Sequence, residues 1–99
     1  MPSVQISKVG KVAIVECAGR FVRNGAAFKL RDAVTSQSDA NTVVLDLTEM
    51  RALGGGGLGM LVLLQRWAQE HDVRLKLFNP SERVRDKLNH VDFEITTVE

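Results

Sequence analysis

With 99 residues, 44% of them hydrophobic and 25% charged, and a net charge of +1, the chain has the makings of one small domain over residues 1–99. That apolar content builds one core and not two, which excludes a multidomain enzyme. Balanced charge and plentiful apolar residues also exclude a disordered chain.

Val4, Ile6 and Val9 mark a first short strand. Gly10-Lys11 supplies a turn, and Val12 to Ala18, mostly β-branched and apolar, reads as a buried strand pairing antiparallel with the first. Gly19 to Gly25 reads as a loop in which the Asn24 side chain can cap the following helix. In that helix, over 26–35, Ala26, Ala27, Leu30, Ala33 and Val34 share a face and Phe28 lies off it. Ser36 to Asn41 is polar and ends the helix, and Thr42 to Leu47 is another buried strand. Thr48 to Leu53 reads as a turn leading into a glycine run, Gly54-Gly55-Gly56-Gly57-Leu58-Gly59. Met60 to His71 predicts a helix that is apolar on most sides through Leu64, which implies burial or a face kept for a partner.

Arg74 to Phe78 alternates as a strand does. Asn79-Pro80-Ser81-Glu82 predicts a helix start, with Asn79 as the cap, Pro80 in the first helical position and Glu82 reaching back to the cap. Val84, Leu88 and Val91 form that helix's apolar stripe, and Phe93 to Val98 is a weak final strand. The order β-β-α-β-α-β-α-β predicts an α/β fold with a mixed β-sheet: an antiparallel hairpin, then parallel strands joined by right-handed crossovers.

Gly54, Gly56 and Gly59 satisfy G-x-G-x-x-G between a strand and a helix. The turn before them is too long for a dinucleotide site, and no carboxylate ends the next strand at Phe78-Asn79 to hold a ribose. No Gly-Lys-Ser/Thr follows, so the run is not a P-loop. A free helix N-terminus after the run leaves weak nucleotide or anion binding as one reading.

Val43-Val44-Leu45-Asp46-Leu47 followed by Gly57-Leu58-Gly59-Met60-Leu61 resembles the STAS domain of bacterial anti-sigma-factor antagonists. Leu75-Lys76-Leu77-Phe78-Asn79-Pro80-Ser81-Glu82-Arg83-Val84-Arg85, Gly19-Arg20-Phe21 and the helix after it fit the same pattern, so the resemblance spans nearly the whole chain. Members of that family carry Asp-Ser-Ser-Gly-Leu-Gly at the start of the second helix, and an anti-sigma factor that is also a serine kinase phosphorylates the second serine. On this alignment Gly54 stands for the aspartate, Gly55 for the first serine and Gly56 for the phosphoacceptor, while Gly57, Leu58 and Gly59 match. Glycine has no hydroxyl to accept phosphate and no charge to imitate it, so the resemblance implies a surface that is not switched at Gly56. The family's acidic loop residue after the second strand is replaced here by Phe21-Val22-Arg23.

The resemblance implies a non-enzymatic module with no cofactor and no catalytic residue. Its expected partner surface comprises Arg20, Phe21, Val22, Arg23, Asn24, Gly54, Gly55, Gly56, Gly57, Leu58, Met60 and Leu61. The expected partner is an anti-sigma factor or serine kinase. Alternatives are a place as the STAS subunit of a lipid-transport ABC system or stress-signalling assembly, or a small nucleotide- or anion-binding protein.

Other residues carry less. Thr48, Ser81, Ser36 and Ser38 offer hydroxyls to which phosphorylation can have moved. Cys17, the only cysteine, excludes an internal disulfide framework and a multi-cysteine zinc site, and reads as a small buried hydrophobe unpaired with His71 or His90. Glu82 and Asp86 interleave with Arg83, Arg85 and Lys87, which reads as a solvated helix face and not a nucleic-acid patch. Trp67 is core or a partner anchor. No apolar run approaches the ~18 residues of a membrane span, and Met1-Pro2-Ser3-Val4-Gln5 has no basic region before an apolar core as a signal peptide has. The expectation is a soluble cytoplasmic protein.

Overall fold

A computed structural model describes residues 2–98. In chain order it contains β1 (Ser3–Val9), β2 (Val12–Phe21), α1 (Asn24–Thr35), β3 (Thr42–Asp46), β4 (Met50–Leu53), α2 (Gly55–Glu70), β5 (Arg74–Phe78), α3 (Glu82–Leu88) and β6 (Glu94–Thr96). The sheet runs β1-β2-β3-β5-β6, with β4 paired to β2. β1 and β2 are antiparallel, with Val9 opposite Val12 across the two-residue turn. The pairs β2–β3, β2–β4, β3–β5 and β5–β6 are parallel. The predicted mixed α/β sheet is therefore present, with one strand more than the sequence reading contains.

Register decides which residues reach the core, because successive side chains in a strand point to opposite faces. Ala13, Val43 and Leu75 lie in one row, and Val15, Leu45, Leu77 and Ile95 in the next. These rows meet Ala26, Ala27, Leu30, Val34, Leu61, Leu64, Val84 and Leu88 from the helices in one core. The alternate rows, such as Ile14, Val44, Lys76 and Glu94, form the sheet's partly exposed face. There the Arg74 guanidinium donates two hydrogen bonds to Glu94, at 2.9 and 2.7 Å. The hydrogen bond from Arg74, joined by the charges of Arg74 and Lys76, holds the Glu94 carboxyl below its ordinary value. A lowered folded value means that the pair's contribution is present above the ordinary glutamate range and disappears as pH falls through the lowered one. Arg74→Gln is expected to raise the Glu94 midpoint in an NMR titration of the carboxyl; an unmoved midpoint would sever that link.

Several boundaries depart from the sequence reading. The expected turn over Thr48–Leu53 contains β4, which continues the line of β3 alongside a β2 that runs on to Phe21. The pairing carries a register irregularity between Gly19 and Arg20, and Gly19 takes a φ of 94° that side chains disfavour. The first helix is preceded by Arg23 in extended conformation, whose carbonyl accepts from the N–H groups of Ala26 and Ala27. Asn24 is thus the first helical residue and not the cap, and α1 has no side-chain cap.

The second helix starts at Gly55, five residues before the expected Met60, because packing of the glycine turn against Phe21 and Leu53 overrides glycine's poor helix propensity. The cap of α3 is Ser81, whose hydroxyl accepts from the Val84 N–H at 3.3 Å. Asn79 cannot serve, since its φ of 54° is left-handed and a cap is extended. Its amide instead donates to the Thr48 hydroxyl and accepts from the Val98 N–H. Pro80 lies before the cap, and Val91 falls beyond the helix. Ser81→Ala is expected to lower stability by about 1 kcal/mol in urea unfolding; no loss would mean that the hydroxyl does not cap α3.

Candidate functional site

The C-terminal ends of β2 and β4 deliver two connections to the same place. One is the Val22–Arg23 link into α1, and the other is Gly54, which leads into α2. The Gly54 N–H donates to the Phe21 carbonyl at 3.0 Å, and the Leu58 N–H closes the first turn of α2 on the Gly54 carbonyl at 2.9 Å. A Cβ on Gly57 would stand 2.6 Å from the Phe21 carbonyl oxygen and 2.7 Å from Leu53 Cδ1, so only glycine lets the two segments approach this closely. One on Gly54 would stand 3.1 Å from Val22 Cα, and one on Gly56 would stand 3.3 Å from the Asn24 amide oxygen. Residues far apart in sequence, 20–24 and 54–58, thereby form one continuous surface.

That surface contains fewer of the expected residues than the sequence suggests. Arg20, Val22, Arg23, Asn24, Gly55 and Gly56 are exposed, and Gly54 and Leu58 are half-buried. Phe21 and Leu61 are 0% exposed, Met60 is 8% exposed and Gly57 is buried. These four lie beneath the exposed residues and set the shape of the surface they form. The reason is periodicity: in α2, Gly57, Met60, Leu61, Leu64 and Ala68 fall on the face toward the core. The opposite face carries Gly59, Val62, Leu63 and Arg66, with Val62 and Leu63 at 40% and 57% exposure.

Beside Val22 the surface opens into a groove of about 880 Å³ whose charged lining is Arg20, Arg23, Lys29, Arg51 and Glu49. Lys29 and Arg51 are absent from the sequence reading. Arg51 falls in the stretch read as a turn, and only the long-range pairing of β4 with β2 carries it beside Arg20.

Elsewhere the chain supplies little chemistry. Cys17 is 1% exposed. Burial first, and the nearby Asp46 charge second, push its thiol up to about 12, so it holds its proton at neutral pH. His71 stacks on Trp67 with ring centroids 4.6 Å apart, and its Nδ1 lies 2.8 Å from the Trp67 carbonyl oxygen. Trp67 itself packs against the core. Among the described residues no group of three or more His, Cys, Asp or Glu is placed to hold a metal ion. Three of the alternative hydroxyls have local tasks. Thr48 donates to Asp46 at 2.6 Å, Ser36 donates to the Ala33 carbonyl, and Ser81 caps α3. No helix among the described residues is long and apolar enough to cross a membrane.

Residues 3–97 match the STAS domain. The chain belongs to the STAS family. Its STAS fold is that of anti-sigma factor antagonists. It superposes on an anti-sigma factor antagonist from Mycobacterium paratuberculosis with a TM-score of 0.84, at 15% identity, covering 99% of this chain and 87% of that one. It superposes on the unphosphorylated form of the anti-sigma factor antagonist SpoIIAA with a TM-score of 0.79, at 16% identity, covering 98% of this chain and 90% of that one. The phosphorylated form of SpoIIAA, a Bacillus cell fate determinant, gives a TM-score of 0.80 at 16% identity, with 98% and 92% covered. No curated protein sequence matches the chain. At these identities the superpositions establish the STAS fold, and the function of this STAS domain rests on its own site.

Proposed function

We propose that the chain is a non-enzymatic interaction module of the anti-sigma-factor antagonist type that is not switched by phosphate at the start of its second helix. The observation that carries this reading is the makeup of the first turn of α2. Gly55 and Gly56 are exposed there, Gly56 beside Asn24, and residues 54–59 contain no hydroxyl. On the family's alignment Gly56 takes the phosphoacceptor's place, so a kinase partner finds a surface to bind and no atom to modify. The partner is a protein, either an anti-sigma factor or a subunit of a larger assembly. The contact surface is Arg20, Val22, Arg23, Asn24, Gly54, Gly55, Gly56 and Leu58.

The test is affinity capture of the tagged protein from its native cells, followed by mass spectrometry. Recovery of an anti-sigma kinase supports a constitutive antagonist. Recovery of transporter subunits alone makes the domain a scaffold and overturns the antagonist reading. A companion variant restores the family's residues: Gly54→Asp, Gly55→Ser and Gly56→Ser together. It is expected to fold, because a Cβ at Gly55 meets open space and at Gly56 meets only the movable Asn24 side chain. At Gly54 an aspartate gains a cap for α2 worth a few tenths of a kcal/mol over glycine, and its Cβ, 3.1 Å from Val22 Cα and 3.3 Å from Val22 Cβ and Cγ1, requires Val22 to give way by a few tenths of an ångström. Incubated with the captured kinase and ATP, the variant is expected to gain phosphate and the native chain none at residues 54–59. Phosphate on neither chain counts against the alignment of the glycine run with the phosphorylation motif.

A further inference from the structure

We propose that the groove beside Arg20 and Arg51 receives an acidic, extended segment of a protein partner; this rests on the reading of the chain as an interaction module. Among the described residues the four cations along the groove face one acid, Glu49, which concentrates positive charge in a chain whose whole net charge is +1. Among the described residues none of the four enters an ion pair, whereas Lys8, Arg31, Arg74 and Lys76 do. Unpaired guanidinium groups gathered in a concave surface favour carboxylates, which they bind through paired N–H donors.

Ala18, Gly19, Gly25 and Ala26 also line the groove, small residues that let a partner's main chain lie close. Val22, 41% exposed, lines the same groove and offers an apolar contact. It also joins the groove to the glycine turn, since a Cβ on Gly54 would touch it. Alternating acidic and apolar side chains suit this combination. A nucleotide suits it less, because no aromatic ring lines the groove to stack on a base.

The test is fluorescence anisotropy with a labelled ten-residue peptide alternating glutamate and leucine, against its glutamine–leucine counterpart. The glutamate peptide is expected to bind about tenfold more tightly at low salt, with the gap narrowing as salt is added. Arg20→Glu with Arg51→Glu turns the groove net negative and is expected to abolish the preference. Both side chains are exposed, so the variant is expected to fold, which circular dichroism checks. Arg83→Glu with Arg85→Glu on α3, outside the groove, is expected to retain the preference.

Equal binding of the two peptides by the native chain, or an equal loss in the α3 variant, overturns the proposal. Displacement of the acidic peptide by ATP, but not by sodium chloride of equal ionic strength, assigns the groove to a nucleotide and overturns it too. The two readings fail separately. A kinase or assembly captured equally by the native chain and the Arg20→Glu/Arg51→Glu variant sinks the groove and removes Arg20 from the contact surface, while the antagonist reading stands on the remaining residues. A preference for the acidic peptide with no such partner captured sinks the antagonist reading alone.

Discussion

Phe21→Ala is expected to lower the unfolding free energy by about 3–5 kcal/mol, the usual result of emptying a buried aromatic site. Phe21 is among the largest fully buried side chains, and its backbone holds the two segments of the candidate site together through the Gly54 hydrogen bond. A domain of this size typically has about 5–15 kcal/mol to lose, so a substantial part of its stability disappears. Phe21→Leu keeps most of the volume and is expected to lose far less. Val22→Ala, one residue further on and exposed, is expected to change stability by no more than about 0.5 kcal/mol. Urea unfolding of the three variants checks this. Comparable losses at Phe21 and Val22 would place Phe21 outside the core.

The second large effect separates two glycines of one run by sign. Gly57→Ala is expected to destabilise by about 1–3 kcal/mol, because its Cβ would collide with the Phe21 carbonyl, a backbone atom that cannot turn aside. Gly59→Ala is expected to stabilise by about 1 kcal/mol, because it lies inside α2, has an ordinary φ and meets no atom outside the helix's own backbone. Thermal unfolding gives the midpoints, with roughly 4–8 °C expected for each kcal/mol in a small domain. If both substitutions stabilise, the close approach of α2 to β2 is absent and the site geometry described above is wrong.

These two glycines also mark the limit of what sequence makes legible. A string of glycines between a strand and a helix is locally indistinguishable from a mobile turn. The sequence reading starts the helix at Met60, although α2 begins at Gly55. What decides between them is a carbonyl on a strand more than thirty positions earlier. Asn79 is parallel: Asn-Pro-Ser-Glu reads locally as a cap at Asn79. The left-handed backbone of Asn79, held by Thr48 and Val98, moves the cap to Ser81. β4 escaped because its four residues have no periodicity long enough to read and exist as a strand only by pairing with β2.

The sequence by itself determined the order of every element but β4, the antiparallel hairpin followed by parallel strands, the buried face of the first helix and the family. Each of these follows from local chemistry: β-branched runs, apolar spacing near 3.6 residues, and a motif spelled out in consecutive residues. It also determined that no hydroxyl stands in the glycine run. Tertiary structure alone decided that Phe21, Gly57, Met60 and Leu61 support the surface from beneath. It alone set Arg51 and Lys29 beside Arg20 and Arg23 around one groove. The physical reason is that burial and charge clustering are properties of pairs brought together by sheet register, and no single segment of the chain carries that register in its own pattern.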